Sequence, residues 1–264
     1  MKTGKRAPAL APATISEADG VRYLHLGTPW VQGAMRIAQP FAIELEYVQR
    51  MMVWMLLRPS AELGRGHAVQ LGLGAAAITR FCHGKMRMRT TAVELNPSVI
   101  KACRMWFRLV DDGPRLKVLQ QDAESHVADP LHHGSAQVLC VDLYDDDAAS
   151  PVLDSAAFYR DCHAMLADGG VMTVNLFGRD ASFERSAERI AAAFGDGVWS
   201  LQPTREGNTI VVATKGVAMP DRETLAARAE QIETRYRLPA RKWLRMIRNL
   251  PASADLSDLL VPPA

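Results

Sequence analysis

Four carboxylates crowd into six residues in the run Asp142-Leu143-Tyr144-Asp145-Asp146-Asp147. Neighbouring like charges resist ionising together, so such a cluster calls for a bound cation, a metal or a shared proton. No histidine adjoins it; His132 and His133 precede the strand that leads into it and belong at that strand's opposite end. An organic polyamine therefore ranks above a metal as the cation, and an acidic loop facing water is the alternative. No metal site is expected.

A second chemical signal is the run Val69-Gln70-Leu71-Gly72-Leu73-Gly74-Ala75-Ala76-Ala77, a strand entering a glycine turn and then a helix. Gly72 and Gly74 would let the backbone approach a ligand, with the helix N-terminus facing it. Such turns also serve plain strand–helix packing. Glu94 ends the next strand about 20 residues on, where a dinucleotide-type fold places an acid for ribose hydroxyls; the lesser alternative is an acid that favours the start of the helix near Pro97. Asp122 and Ala123 close the third strand. A carboxylate there can accept from an adenine amino group, or cap the helix that follows.

These groups meet only if a scaffold gathers them. Five β-rich runs, HAVQLGLG, MRTTAVELN, LKVLQQDA, AQVLCVDLY and GVMTVNLFG, alternate with helical stretches between residues 67 and 177. That alternation predicts a parallel sheet covered on both faces, a doubly wound α/β fold with ligands at the carboxyl ends of its strands. Residues 198–203 and 209–214 read as an antiparallel hairpin at its edge, giving a mostly parallel, seven-stranded sheet. Residues 1–20 read as a flexible tail. Residues 21–58 form an N-terminal unit: a hairpin of 23–26 with 31–37, then a helix over 41–57. The Rossmann-like domain spans 59–216, and 217–264 form a helical C-terminal extension broken at Pro239. Arg241, Arg245 and Arg248 share a face of it, either an RNA contact or a solvated face.

Composition narrows the class. The chain has 264 residues with 31 Lys and Arg against 29 Asp and Glu, a net charge of +2 that gives no general pull towards nucleic acid or a membrane. Its longest apolar run, Met51 to Leu57, is far below the ~20 residues that cross a bilayer. Cys82, Cys103, Cys140 and Cys162 form no CxxC pair, which fits a reducing cytoplasm better than a disulfide scaffold. An NAD-dependent enzyme is disfavoured, because Ala77 stands at the third glycine of G-x-G-x-x-G.

From about Tyr23 to Gly216 the chain resembles the spermidine synthase (polyamine aminopropyltransferase) family, within the class I S-adenosylmethionine-dependent methyltransferase-like fold. The resemblance rests on the hairpin with Gln32, Tyr47 in the next helix, Gly72 to Gly74, Glu94, Asp122-Ala123, VDLYDDD, Phe158-Tyr159 and the turn from Leu166 to Gly170. It implies transfer of an aminopropyl group from decarboxylated S-adenosylmethionine to a polyamine such as putrescine, releasing methylthioadenosine. By the same resemblance Asp142 is the catalytic acid position, and Asp145, Tyr47 and Tyr144 meet the amine. Gln32, Gly72, Gly74, Glu94, Asp122 and Ala123 bind the donor nucleoside. A homodimer is also implied.

Three positions depart from the family pattern. Ala75 stands where the glycine-rich motif carries an acid, Val48 where His follows the tyrosine, and Asp146 where Pro follows the second acid. A carboxylate at 75 would repel the carboxylate of intact S-adenosylmethionine, so its loss weakens that discrimination. Two other functions fit the same scaffold: an S-adenosylmethionine-dependent methyltransferase, and a non-catalytic nucleoside or polyamine binder.

Overall fold

The computed structural model describes residues 10–143, 153–177 and 181–250. Elements are numbered in chain order. A small antiparallel sheet of β1 (Ala13–Ala18), β2 (Val21–Leu26) and β3 (Gly33–Arg36) opens the chain. The helical stretches α1 (Glu46–Met51) and α2 (Trp54–Leu57) follow.

The large sheet then alternates strand and helix: β4 (His67–Leu71), α3 (Ala77–Arg80), β5 (Arg89–Glu94), α4 (Pro97–Trp106), β6 (Leu116–Gln120) and α5 (Ala123–Ala128). Next come β7 (Ala136–Val141), α6 (Ala156–Met165), β8 (Leu166–Phe177), α7 (Ala181–Phe194), β9 (Val198–Leu201) and β10 (Asn208–Thr214). The chain closes with α8 (Arg222–Tyr236), α9 (Ala240–Met246) and β11 (Ile247–Asn249).

Strand order is β11-β9-β10-β8-β7-β4-β5-β6. The five strands from β8 to β6 run parallel, and β10, β9 and β11 add antiparallel. The winding reverses at β4, whose neighbours β5 and β7 lead to opposite halves of the sheet, and a crevice opens beyond the strand ends at such a switch point. Both faces are packed. Val138 and Cys140 of β7 join the core under α2 and α8, while Leu139 and Val141 join the core under α6 and α7. Period-two alternation with apolar residues on both faces is why these strands read as continuous apolar runs.

Three expectations need correction. Residues 13–18 belong to no tail: they pair with β2 from Ala13–Leu26 to Ala18–Val21. Asp19 and Gly20, at φ 51° and 73°, form the turn between them, a pair of left-handed residues that suits a tight hairpin. β1 is docked on α4 by the Ala13 N–H to Ser98 Oγ (2.9 Å) and by the Asn96 side chain to the Ala11 carbonyl (2.7 Å). The helix expected over 41–57 begins only at Glu46 and breaks after Met51; every side chain from Met51 to Leu57 is buried, so packing on all sides replaces a one-sided stripe. Finally, the sheet has an eighth strand. Ile247–Asn249 turns extended to pair with β9, removing Arg248 from the helical face proposed for it, while Arg241 pairs with Glu230 and Glu233 on α8.

Candidate active site

β4 ends in a turn with little freedom. Gly72 has φ 83°, and a Cβ there would fall 2.1 Å from the Asp142 carbonyl oxygen. Only glycine fits, and the ends of β4 and β7 therefore lie against one another. Gly74 follows at φ 49° and Ala76 at φ 57°, the latter a left-handed alanine just before α3. Gly33 of the small sheet packs against the turn so closely that a Cβ would stand 2.5 Å from the Ala75 nitrogen.

Side chains behind the turn hold its shape. Gln70 donates from Nε2 to the Gly72 carbonyl (2.7 Å) and the Leu73 carbonyl (3.3 Å), and its Oε1 accepts from the Thr79 hydroxyl at 2.6 Å. Arg80, also buried, donates to the Ala75 carbonyl and to the Pro40 carbonyl (2.9 Å), tying the turn to the chain before α1. Burial holds its guanidinium down to about 10, still protonated at neutral pH. The Glu94 carboxylate accepts the Leu73 N–H at one oxygen (2.9 Å) and the Asn96 N–H at the other (2.8 Å). Burial raises its pKa, opposed by those backbone donors.

Above the turn lies a cavity whose walls include Gln32, Tyr47, Gln70, Gly74, Ala75 and Asp142, with Val48 also on its surface. Asp142 stands just past the end of β7. Asn175 Nδ2 donates to its Oδ1 at 2.9 Å, and the Tyr47 hydroxyl donates to its Oδ2 at 3.3 Å. Burial pushes the Asp142 carboxyl above its usual range, partly offset by the Asn175 and Tyr47 hydrogen bonds. A desolvated carboxylate on a cavity wall is equipped to take a proton. Gln32 Nε2 is buried and finds no partner among the described residues, a donor available to an acceptor in the cavity.

The structure thus brings together Gln32, Tyr47, Gly74 and Asp142, with Gly72 and Glu94 shaping the turn beneath them. Asp122 and Ala123 stand at the end of β6, two strands from β4, and do not line the cavity. Asp122 caps α5, accepting the Ser125 N–H at 2.8 Å, and Ala123 is buried as the first residue of that helix. Tyr144, Asp145, Asp146 and Asp147 lie outside the described residues. Gln70, Arg80 and Asn175 were missed from sequence. Their signal was a polar side chain inside an apolar strand run, or a cation beside a glycine turn. Among the described residues no group of His, Cys, Asp or Glu is arranged to hold a metal ion, and no helix is long and apolar enough to cross a membrane.

Comparison with known proteins places this geometry. The family pattern described as "Spermine/spermidine synthase domain" matches residues 76–187. The polyamine aminopropyltransferase of Neisseria meningitidis serogroup A is 30% identical over 241 residues, covering 90% of this chain and 89% of that protein. Among solved structures, a probable spermidine synthase from Corynebacterium glutamicum superposes with a TM-score of 0.68 at 17% identity, covering 87% of this chain and 88% of the other. Human methyltransferase-like protein 13, solved in complex with SAH, gives a TM-score of 0.62 at 22% identity, covering 82% of this chain and 100% of the other. With 30% identity carried over 90% of its length, the chain is a transferase of the spermine/spermidine synthase family, the polyamine aminopropyltransferases.

Proposed function

We propose that the cavity binds decarboxylated S-adenosylmethionine and transfers its aminopropyl group to a polyamine such as putrescine. The observation that carries this reading is Asp142: a carboxylate desolvated at the switch point, gripped by Tyr47 and Asn175, on the wall of a cavity floored by the glycine turn. An amine attacks only when unprotonated, so a carboxylate within reach must take its proton. The nitrogen lone pair forms a bond to the methylene carbon beside sulfur. The carbon–sulfur bond breaks with its electrons going to sulfur, methylthioadenosine leaves, and the amine's proton passes to Asp142.

In this reading Gly72 and Gly74 let the turn approach the nucleoside, Gln32 donates its unpartnered amide to it, and Glu94 takes the ribose hydroxyls with lone pairs its backbone donors leave free. Asp122 and Ala123 would edge the adenine. Asp145, Tyr47 and Tyr144 would meet the amine. The fold aligns donor and acceptor, which supplies much of the rate.

The test is methylthioadenosine release from decarboxylated S-adenosylmethionine and putrescine. Asp142→Asn is expected to fold, bind methylthioadenosine as the wild type does, and lose turnover by at least about 100-fold, the usual worth of a general base; turnover that survives the change removes Asp142 from the chemistry. Methyl transfer is a second reading, favoured by the Ala75 methyl on the cavity wall where a carboxylate would select against the intact donor. Parallel calorimetric titrations with the intact and decarboxylated donors separate the two, and formation of S-adenosylhomocysteine would put methyl transfer first.

A further inference from the structure

Behind Asp142 runs a line of side-chain amides that the proposed reaction does not itself use. Asn175 lies in β8, beside β7, and is 4% exposed. Asn208 opens β10, on the far side of β8. Asn208 Nδ2 donates to Asn175 Oδ1 at 3.1 Å, and Asn175 Nδ2 donates to Asp142 Oδ1 at 2.9 Å. Every donor in the chain points the same way, across three neighbouring strands towards the carboxylate.

Asn208 is itself fixed by Thr204. The Asn208 N–H donates to Thr204 Oγ1 at 3.1 Å, and the Thr204 N–H donates to the Asn208 carbonyl at 2.8 Å. Thr204 is 2% exposed and cannot swing into water without breaking the turn before β10. The chain has a directional logic. An asparagine amide can present either its NH2 or its carbonyl to a neighbour. A carbonyl turned towards Asp142 would set lone pairs against a carboxylate; the Asn208 donor, by occupying Asn175 Oδ1, selects the orientation with NH2 towards Asp142. Hydrogen bonds donated in series also polarise one another.

We propose that Asn175, oriented by Asn208, is a positioning residue that ties down Oδ1 of Asp142 and leaves Oδ2, the oxygen facing Tyr47, to receive the proton. The two carboxylate oxygens are thereby made unequal. Oδ1 holds the short contact from Asn175, which does not line the cavity, and Oδ2 the longer contact from the hydroxyl of Tyr47, which does. This inference rests on Asp142 acting as the base, and among the described residues its carboxylate is hydrogen-bonded by Asn175 from β8 and Tyr47 from α1, with the buried Cys140 thiol two residues back on β7 close enough to feel its charge.

The test compares Asn175→Leu, Asn208→Ala and the double variant by pH–rate profile and by the Asp142 carboxyl titration itself. The latter is read from 13C NMR of aspartate-labelled protein, with the signal assigned by its loss in Asp142→Asn. Removing the Asn175 donor leaves burial less opposed, so Asp142 is expected to titrate about one pH unit higher, with the acid limb of kcat following it and methylthioadenosine affinity unchanged. Asn208→Ala is expected to move both in the same direction by less, and to add nothing once Asn175 is Leu. A purely structural role would lower stability without moving the titration. An unmoved carboxyl titration in Asn175→Leu, or a full additional shift from Asn208→Ala in the double variant, overturns the proposal. Should Asn175→Leu fail to fold, the titration in Asn208→Ala decides alone, since that residue is only partly buried. The NMR reading holds even if the donor proves to be another compound, so failure of Asp142 as base shows separately, as turnover retained by Asp142→Asn.

Discussion

Replacing Gln70 by Leu removes the side chain that laces β4, the glycine turn and α3 together. The amide makes two short hydrogen bonds, to the Gly72 carbonyl at 2.7 Å and from the Thr79 hydroxyl at 2.6 Å, and one long one to the Leu73 carbonyl. Each good bond contributes about 1 kcal/mol net, and a buried hydroxyl left without an acceptor costs about 1–3 kcal/mol more. Thr79 is wholly buried, and the Ala75 carbonyl one turn back already accepts from Arg80, so the hydroxyl has poor alternatives. Leu nearly conserves volume and its apolar burial offsets part of the loss, giving a net destabilisation of about 2–3 kcal/mol. At about 2–4 °C per kcal/mol for a chain of this size, thermal denaturation should fall by about 5–10 °C. Thr79→Val in the same background removes the orphaned hydroxyl, so the double variant should lose less than the sum of the singles by about 1 kcal/mol. Methylthioadenosine affinity should drop along with the turn's order. A Gln70→Leu protein melting within about 1 °C of wild type, with additive effects of Thr79→Val, would refute the lacing role.

Two further outcomes follow from groups elsewhere in the fold. Burial, helped by Arg89 for His67 and by His132 for His126, holds the His67 and His126 imidazoles down to about 4, whereas the unfolded chain protonates them near 6.5. The native state binds fewer protons, so stability is full above about pH 6.5, falls as pH drops towards 4 and levels below; after discounting for solvent screening each ring costs about 1 kcal/mol over that window. Urea midpoints at pH 7 and pH 5 should show the fall, and His126→Gln should flatten it; a His126→Gln curve parallel to wild type would count against the assignment. Gly33→Ala sets a methyl against the Ala75 backbone at 2.5 Å, so it should part the small sheet from the glycine turn. At least a tenfold loss of methylthioadenosine affinity is expected by calorimetry, and unchanged affinity would show that this contact does not shape the cavity.

Much of the scaffold was legible because its strands are buried on both faces. Runs such as Ala136–Val141 are apolar at every position but Gln137, and that signal survives without knowledge of neighbours. The Asp19-Gly20 turn was equally legible in principle, but Pro8 and Pro12 just upstream suggested an unstructured beginning and concealed the strand after them. β11 could not be read at all. Ile247-Arg248-Asn249 has no strand pattern of its own and becomes extended only because β9 offers an edge and Leu250 buries beyond it. The same division runs through the site. Gly72, Glu94 and Asp142 could be singled out from sequence because the carboxyl ends of strands face the crevice in this architecture, and the structure gathers all three around the glycine turn. Asn175 acts sideways, across strands whose order no local pattern reveals, and Gln70 acts through a turn that folds back on its own strand. Asp122 shows the limit of a motif: the carboxylate is where spacing puts it, yet its observed contact is the helix cap.

β11 has one more consequence, which concerns the order in which the chain is made. Val198–Leu201 is buried along its whole length, with β10 on one side and β11 on the other. Every other described strand of the sheet precedes β11 in the chain, so during synthesis the β9 border stays unsealed until the stretch around residue 249 emerges. Until then it offers unpaired amides and carbonyls to any passing strand, including those of a sister chain on the same messenger. The three residues of β11 thus act as a closure applied last, and a chain halted before Ile247 would carry an adhesive border into solution.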